Sequence, residues 1–148
     1  EEIFQGYEEE FAGLYATLPK QVIHRDPNPG NMILADGSFG FIDFEMSEKN
    51  VRIFDPCYAA TAILSETFEA GNEEKLQKWV TIFKNILWGY DTVVKLTEEE
   101  KRAIPYVVLS NQLLALAWFE DQEKFMELYK TNKQMTEWLA SVWGELSL

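Results

Sequence analysis

The sequence predicts an α+β fold that is mainly α-helical and forms a single domain over residues 1–148. Most of the chain carries apolar residues at helical spacing, which is typical of amphipathic helices packed around one core. One short segment instead has two apolar runs on either side of an Asp-Gly pair, which is typical of a β-hairpin. No internal repeat or long linker marks a second domain, so we expect a helix, a loop, a hairpin and then four or five helices.

The first predicted element is an amphipathic helix that ends at Pro19, because proline cannot continue a helix. Its apolar face consists of Ile3, Tyr7, Phe11, Leu14 and Leu18. Val22 and Ile23 then lead into a loop that is rich in proline and glycine.

The hairpin is predicted after this loop, with strands over residues 32–34 and 39–42. Asp36 and Gly37 lie between the two strands, and an Asp-Gly pair is a strong signal for a tight turn. The helices follow the hairpin directly, so the loop and hairpin are bounded by helices on both sides.

The first helix after the hairpin is predicted to begin at Asp55 and Pro56. Asp would cap the free backbone amides, and Pro suits the first helical position. This helix is expected to run to about Ala70 and to end at Gly71, because glycine readily adopts the conformation that ends a helix.

The remaining helices have recognisable starts. Asn72 is expected to cap a helix with apolar residues at Leu76, Trp79, Val80, Phe83, Ile86, Leu87 and Tyr90. Thr97 and Glu100 form a capping box for the next helix, which Pro105 is expected to kink or split. Two further helical stretches are predicted, over residues 125–129 and 135–143.

The polar residues whose side chains could take part in catalysis are Asp26 and Asn31 in the loop and Asp43 after the hairpin. Phosphoryl transfer needs a carboxylate that accepts the proton of the attacking hydroxyl, and oxygen ligands that hold Mg²⁺ against the phosphates of ATP. Asp26 suits the first task, while the side-chain oxygens of Asn31 and Asp43 suit the second. Because the outer ends of a hairpin lie close together, we expect Asn31 and Asp43 to share a metal beside Asp26.

Other kinds of site fit the sequence less well. His24 is the only histidine, which excludes a His-dependent triad and a multi-His zinc site, and we expect it to be a structural, hydrogen-bonded residue. Asp26 and Asp43 could also form the carboxylate pair of a glycosidase, but Asn31 would then have no role. The Trp and Phe residues of the later helices are expected in the core, with one or two lining a substrate pocket.

A family resemblance rests on residues 24–31, 42–45 and 54–56. Together they resemble the aminoglycoside phosphotransferase and choline kinase-like superfamily, a branch of the protein-kinase fold that phosphorylates small molecules. The usual pattern there is His, a small residue, Asp and then Pro-Gly-Asn. This chain matches the pattern at His24, Asp26, Pro29, Gly30 and Asn31.

The resemblance implies a protein-kinase-like C-terminal lobe that uses ATP and Mg²⁺ to phosphorylate a small-molecule hydroxyl. It also implies that Asp26 is the catalytic base, that Asn31 and Asp43 bind magnesium, and that Asp55 braces the catalytic loop together with His24. Aminoglycoside-, choline- and homoserine-like acceptors all remain open at this point.

Two residues depart from the family pattern. Arg25 replaces the usual small residue and is similar to the protein-kinase loop, while Glu45 is similar to choline kinase relatives. Glu45 would either join a second metal site or be a surface carboxylate. Only eleven residues lie between Asp43 and Asp55, too few for the activation segment of a protein kinase, so a protein kinase is the weaker alternative.

The composition excludes several classes of partner. A formal net charge of −12 argues against binding to nucleic acid or to an anionic membrane, and it favours an acceptor that carries a cationic amine. Cys57 is the only cysteine, so an internal disulfide is excluded, which fits a cytoplasmic protein. We expect Cys57 to be a buried small hydrophobic residue.

A nucleotide-binding lobe is not evident in the sequence. About twenty residues precede the loop, G-x-G-x-x-G does not occur, and Lys20 is poorly placed to bind phosphates. We therefore expect a C-terminal lobe that lacks its N-terminal lobe and has no appreciable activity alone. Its exposed inter-lobe face would favour homo-oligomers. The alternative outside enzymology is a catalytically silent, kinase-like binding or regulatory module.

Overall fold

A computed structural model describes residues 2–120 and 122–148, and it confirms the mainly α-helical α+β fold. The chain begins with α1 (Glu2–Gly6), passes through a π-helical turn (Tyr7–Phe11) and continues as α2 (Ala12–Thr17). The predicted amphipathic helix is therefore present, with one wider turn in its middle. Its residues Phe11, Leu14 and Leu18 are buried, as the spacing predicts.

Within the described parts of the chain, four short strands form two separate antiparallel pairs rather than one sheet. Strands β2 (Met32–Ala35) and β3 (Ser38–Phe41) form the predicted hairpin, and Asp36 and Gly37 in its turn have φ values of 51° and 74°. These positive values match the type of turn that an Asp-Gly pair favours. Strands β1 (Lys20–Ile23) and β4 (Glu48–Val51) form a second pair.

The pairing of β1 with β4 is not among the sequence predictions. Val22 and Ile23 were expected only to lead into the loop, but they pair with Lys49 and Glu48. Most residues of both strands are polar or exposed, so neither strand has a clear alternating pattern. The pair encloses the loop and the hairpin, and it fixes both ends of the segment that carries the polar residues.

Four α-helices follow among the described residues: α3 (Phe54–Thr67), α4 (Glu73–Val93), α5 (Glu98–Glu120) and α6 (Met126–Ser141). Short 3₁₀ turns flank α6 at Glu123–Phe125 and Trp143–Glu145. The cap at Asn72 is confirmed, since its side chain accepts a hydrogen bond from the backbone of Lys75. The capping box is also confirmed, since Thr97 and Glu100 each bond the backbone N–H of the other.

Three details of the helix predictions are wrong. Helix α3 ends at Thr67 rather than near Ala70, because Phe68 has an extended backbone with ψ of 130°. Helix α5 runs through Pro105 as one helix, so of the two predicted effects of this proline the split is wrong. The last two helical stretches are one helix, α6, preceded by a 3₁₀ turn.

The hydrophobic core lies between the helices and includes Ile23 and Val51, the last residues of β1 and β4. Helix α3 packs against α4 and α5, and α6 packs against α5. The largest fully buried side chains include Ile53, Leu64, Trp79, Phe83, Leu87 and Ile104. Cys57 is also fully buried, and this burial raises the pKa of its thiol well above the usual value. No helix among the described residues is long and apolar enough to cross a bilayer.

A buried ion pair joins the end of β4 to the start of α5. Arg52 donates two hydrogen bonds of 2.7 Å to the carboxylate of Glu100, which is completely buried. Arg52 also donates to the carbonyl oxygen of Lys95. Hydrogen bonding to Glu100 raises the pKa of Arg52. Because Glu100 is also the capping-box residue, one carboxylate fixes both the helix start and the strand next to it.

We predict that Arg52→Met lowers the free energy of unfolding by roughly 3 kcal/mol, because it leaves the Glu100 carboxylate buried without its partner. Lys130→Met is the matched control, since Lys130 pairs with the exposed Glu127 and should lose less than about 1 kcal/mol. Urea unfolding of both variants measures the difference. Equal losses would contradict a structural role for the Arg52–Glu100 pair.

Candidate active site

The carboxylate of Asp55 joins the start of α3 to the loop that follows β1. Its two oxygens accept hydrogen bonds from the backbone N–H groups of His24, at 2.8 Å, and Arg25, at 2.9 Å. The prediction that Asp55 caps its own helix is therefore wrong, and Ile53 occupies the cap position without a side-chain hydrogen bond. The carboxylate is used to hold the loop instead.

His24 joins the same loop to the end of the hairpin. It is buried, and its Nε2 lies 2.8 Å from the carbonyl oxygen of Ile42. Its Nδ1 accepts the backbone N–H of Asp26, so the ring proton is on Nε2 and is donated to Ile42. The ring also packs against Phe44, with centroids 4.5 Å apart. His24 therefore makes structural contacts on both sides, and its nitrogens are occupied.

Asp26 lies in the loop, with its carboxylate fixed by two amide side chains. Asn28 Nδ2 donates to Oδ1 at 2.9 Å, and Asn31 Nδ2 donates to Oδ2 at 3.0 Å. Asn31 also donates to the backbone carbonyl of Asp26. Just before it, Arg25 has φ of 73°, an uncommon conformation for a residue with a side chain. The loop is thus held in a bent form that presents the Asp26 carboxylate.

Asp43 lies beside Asn31, as the hairpin geometry requires. The backbone N–H of Ile42 donates to the carbonyl oxygen of Asn31 at 3.0 Å, which extends the β2–β3 ladder by one pair. Asp43 is the next residue, is exposed and has φ of 63°. Such strained positions cost about 1–3 kcal/mol and often occur at functional sites. Asp26 and Asn31 are thus joined directly by hydrogen bonds, and Asp43 directly follows the residue whose backbone bonds to Asn31.

Glu45 lines a cavity of about 690 Å³ together with Arg25 and Asp26. Among the described residues, no group of three or more His, Cys, Asp or Glu side chains could hold a metal ion by itself. Asn31 and Asp43 still fit Mg²⁺, which prefers oxygen ligands and commonly takes only one or two from the protein. The two N–H donors of Asn31 face Asp26, which leaves the amide oxygen as the acceptor for a cation.

Tyr58 is a residue of the site that the sequence analysis missed. It lies one turn after Asp55 on α3 and lines the cavity with Asp26. Burial, and then hydrogen bonding to Asp26, raises the pKa of the Tyr58 phenol to about 12. The phenol is therefore a protonated donor next to the Asp26 carboxylate at neutral pH. Only the spacing from Asp55 could have suggested Tyr58, and that spacing alone is a weak signal.

The cavity beside Asp26 continues into the helical part of the molecule. Its other lining residues come from α3 and α5, and they include Phe54, Asn111, Leu114 and Trp118. A second cavity of about 300 Å³, which we call the inner cavity, lies between α3, α5 and α6, and Asn28 of the loop also lines it. Both cavities share Tyr58, Asn111, Ala115 and Phe119, so they adjoin. Trp118 and Phe119 line the cavity beside Asp26, so they are the aromatic residues of the later helices that could line a substrate pocket, as predicted from the sequence.

The part of the chain that contains the loop, the hairpin and the first helices matches a known protein family. The model of the "Phosphotransferase enzyme family" matches residues 3–108, and the chain belongs to this family. The family resemblance stated from the loop motifs is confirmed.

Two curated relatives are homoserine kinases. The chain is 34% identical to the homoserine kinase of Phenylobacterium zucineum (strain HLK1) over 89 residues, which cover 60% of this chain and 25% of the relative. It is 33% identical to that of Sinorhizobium fredii (strain NBRC 101917 / NGR234) over 98 residues, which cover 66% of this chain and 28% of the relative. The matched part of the chain thus spans about a quarter of the length of these relatives. Solved structures give no significant match.

We predict that Asp55→Ala exposes the backbone N–H groups of His24 and Arg25, because it removes the carboxylate that accepts both. Hydrogen exchange at these two amides should become faster, and the free energy of unfolding should fall by about 1–3 kcal/mol. Asp43→Ala is the control, since Asp43 is exposed and its side chain accepts no hydrogen bond among the described residues. Unchanged protection in Asp55→Ala would show that the loop does not depend on this carboxylate.

A second prediction concerns Tyr58. Subtracting the absorbance titration of Tyr58→Phe from that of the wild-type protein should leave the titration of a single phenol. Its pKa should be near 12 rather than near 10. Because the folded-state pKa is raised, the neutral phenol stabilises the fold below about pH 10. This stabilisation by the neutral phenol is lost as pH rises from about 10 to 12. Because Tyr58→Phe has no phenol to ionise at this position, its free energy of unfolding should fall less over the same pH range. A difference titration centred near pH 10 would contradict the burial of the Tyr58 phenol, which is the main cause of its raised pKa.

Proposed function

We propose that the protein which contains this chain transfers the γ-phosphoryl group of ATP to the hydroxyl group of a small molecule. Membership of the phosphotransferase family and similarity to homoserine kinases support this proposal. The observation that carries it is the position of Asp26. Its carboxylate is fixed by Asn28 and Asn31 and lies at the edge of a cavity large enough for a small acceptor.

Asp26 acts as the catalytic base in this proposal. A carboxylate has about four acceptor positions, and the two amide donors leave others available for a substrate hydroxyl. The hydroxyl oxygen bonds to the γ-phosphorus, its proton passes to Asp26, and the bond to the β–γ bridging oxygen breaks to release ADP. Fixing the carboxylate before the reaction reduces the entropy that must be lost to reach this geometry.

Asn31 and Asp43 would hold Mg²⁺, with Glu45 as a further candidate. The bound ion would neutralise charge on the phosphates. The residues of this chain contribute by holding one another in position. Asn31 donates to Asp26 and lies beside Asp43, so a change in one of these residues is transmitted to the others.

The acceptor is proposed to be a small amine-bearing alcohol, and homoserine is one example. The net charge of −12 favours a cationic group, and the two relatives are homoserine kinases. Choline-like and aminoglycoside-like acceptors share the amine and the hydroxyl.

The apolar surface of the hairpin is proposed to pack against a nucleotide-binding part of the protein. Leu34, Phe39, Phe44 and Met46 are 76%, 59%, 59% and 51% exposed. Such an apolar patch is unusual on a surface that faces water. The matched part of the chain spans about a quarter of its relatives, which leaves ample length for such a lobe. A second copy of the chain is the alternative occupant, and the oligomeric state in solution distinguishes the two.

We predict that Asp26→Asn lowers the rate of phosphoryl transfer by at least about 10²-fold in the full-length protein, because the amide cannot accept the proton. The fold should remain, since Asn keeps an oxygen acceptor for one of the two amide donors. Asp36→Asn is the matched control, because Asp36 lies in the hairpin turn, at the end of the hairpin farthest from Asp26. Near-normal transfer by Asp26→Asn would exclude Asp26 as the base.

We also predict that the 148-residue chain alone shows no appreciable phosphoryl transfer. The residues that cradle the phosphates in kinases are not evident in its sequence. A coupled assay of ADP release, with the full-length protein as the positive control, measures this. Steady ATP turnover by the chain alone would refute the assignment to a C-terminal lobe.

A further inference from the structure

Two adjacent amide side chains on α5 are buried beside the inner cavity without hydrogen-bond partners. Asn111 is 6% exposed and Gln112 is 3% exposed. Nδ2 and Oδ1 of Asn111 and Oε1 of Gln112 have no partner among the described residues. Buried polar groups are nearly always paired, because leaving them unpaired destabilises the fold. Two such residues side by side therefore point to a ligand that supplies the missing partners.

The position of the two amides relates them to the phosphoryl-transfer site. Both line the cavity between α3, α5 and α6, and Asn111 also lines the outer cavity with Asp26. Tyr58 lies where the two cavities adjoin, with its phenol next to Asp26. A small molecule whose hydroxyl reaches Asp26 would therefore extend past Tyr58 toward Asn111.

The unpaired atoms define the chemistry of this ligand. Asn111 Oδ1 and Gln112 Oε1 are two acceptors, and Asn111 Nδ2 is a donor. The carboxylate residue Glu66 also lines the inner cavity, and none of the described residues that line it is Lys or Arg. An ammonium group, with three N–H donors, matches the two acceptors and the nearby negative charge. A ligand oxygen would accept from Asn111 Nδ2.

We propose that Asn111 and Gln112 bind the ammonium group of an amino-alcohol acceptor and thereby determine the acceptor specificity of the protein. This assignment deepens the proposed function and rests on it. Both residues lie beyond residue 108, where the match to the family model ends.

The test compares two acceptors that differ in the ammonium group. Homoserine has the ammonium group, and 4-hydroxybutyrate has the same hydroxyl and carboxylate without it. Calorimetry on the full-length protein should show tighter binding of homoserine. Asn111→Leu should weaken homoserine binding about ten-fold to a hundred-fold, as expected for losing hydrogen bonds to a charged group, and should weaken 4-hydroxybutyrate binding clearly less, because that compound has no ammonium group to lose.

Asn85→Leu is the matched control, because Asn85 is exposed on α4 and lines neither cavity. It should leave homoserine binding unchanged. The melting temperature separates recognition from a purely structural role. Asn111→Leu removes buried atoms that have no partner, so its melting temperature should be maintained or raised.

The assignment is overturned if the wild-type protein binds the two compounds equally, binds neither, or binds homoserine equally well after Asn111→Leu. A marked fall in the melting temperature of Asn111→Leu would likewise indicate a structural role. Phosphoryl transfer is measured separately. Transfer to hydroxyl compounds without ammonium selectivity would refute this inference and retain the proposed function. Homoserine binding that depends on Asn111, without any transfer, would retain the amine site and refute the function.

Discussion

The bond from the Asp55 carboxylate to the backbone of His24 and Arg25 is the constraint on which the site depends. One side chain from the first turn of α3 fixes the start of the loop, and the amides of Asn28 and Asn31 hold Asp26 farther along it. His24 then carries the constraint to Ile42 at the end of the hairpin. The helical scaffold thereby sets where Asp26 and Asn31 lie, although both are in a loop. Loops that are positioned by a rigid scaffold commonly carry function.

The geometry divides the molecule into two regions with different tasks. In the proposed function, the loop and hairpin would provide oxygen atoms at Asp26, Asn31 and Asp43 for proton acceptance and for a cation. The helices α3, α5 and α6 enclose the cavity that continues from Asp26 toward Asn111. Tyr58 belongs to both regions, because it contacts Asp26 and lines both cavities. Chemistry at the loop can therefore be common to the family while the helical cavity selects the acceptor.

The parts of this arrangement that sequence could predict are those set by local chemistry. The turn at Asp36 and Gly37, the cap at Asn72 and the capping box of α5 each depend on residues within three or four positions of one another. The pairing of β1 with β4 depends on contacts about 30 residues apart, and no local pattern predicted it. The contact of Asp55 with the loop is equally distant along the chain, and only the family resemblance implied it. Tyr58, Asn111 and Gln112 gain their significance only from a cavity formed by three helices, so no local pattern identifies them.

The most direct test of the convergence of Asn31 and Asp43 beside Asp26 is an NMR titration of the full-length protein. Mn²⁺ is added in the presence of ATP, as a paramagnetic replacement for Mg²⁺. The account predicts that the backbone amide signals of Asn31 and Asp43 broaden first. Those of the acidic run at residues 98–100 should broaden later, and the selectivity should be lost in Asp43→Asn. Broadening that begins at the acidic run, or that is unaffected by Asp43→Asn, would contradict the account.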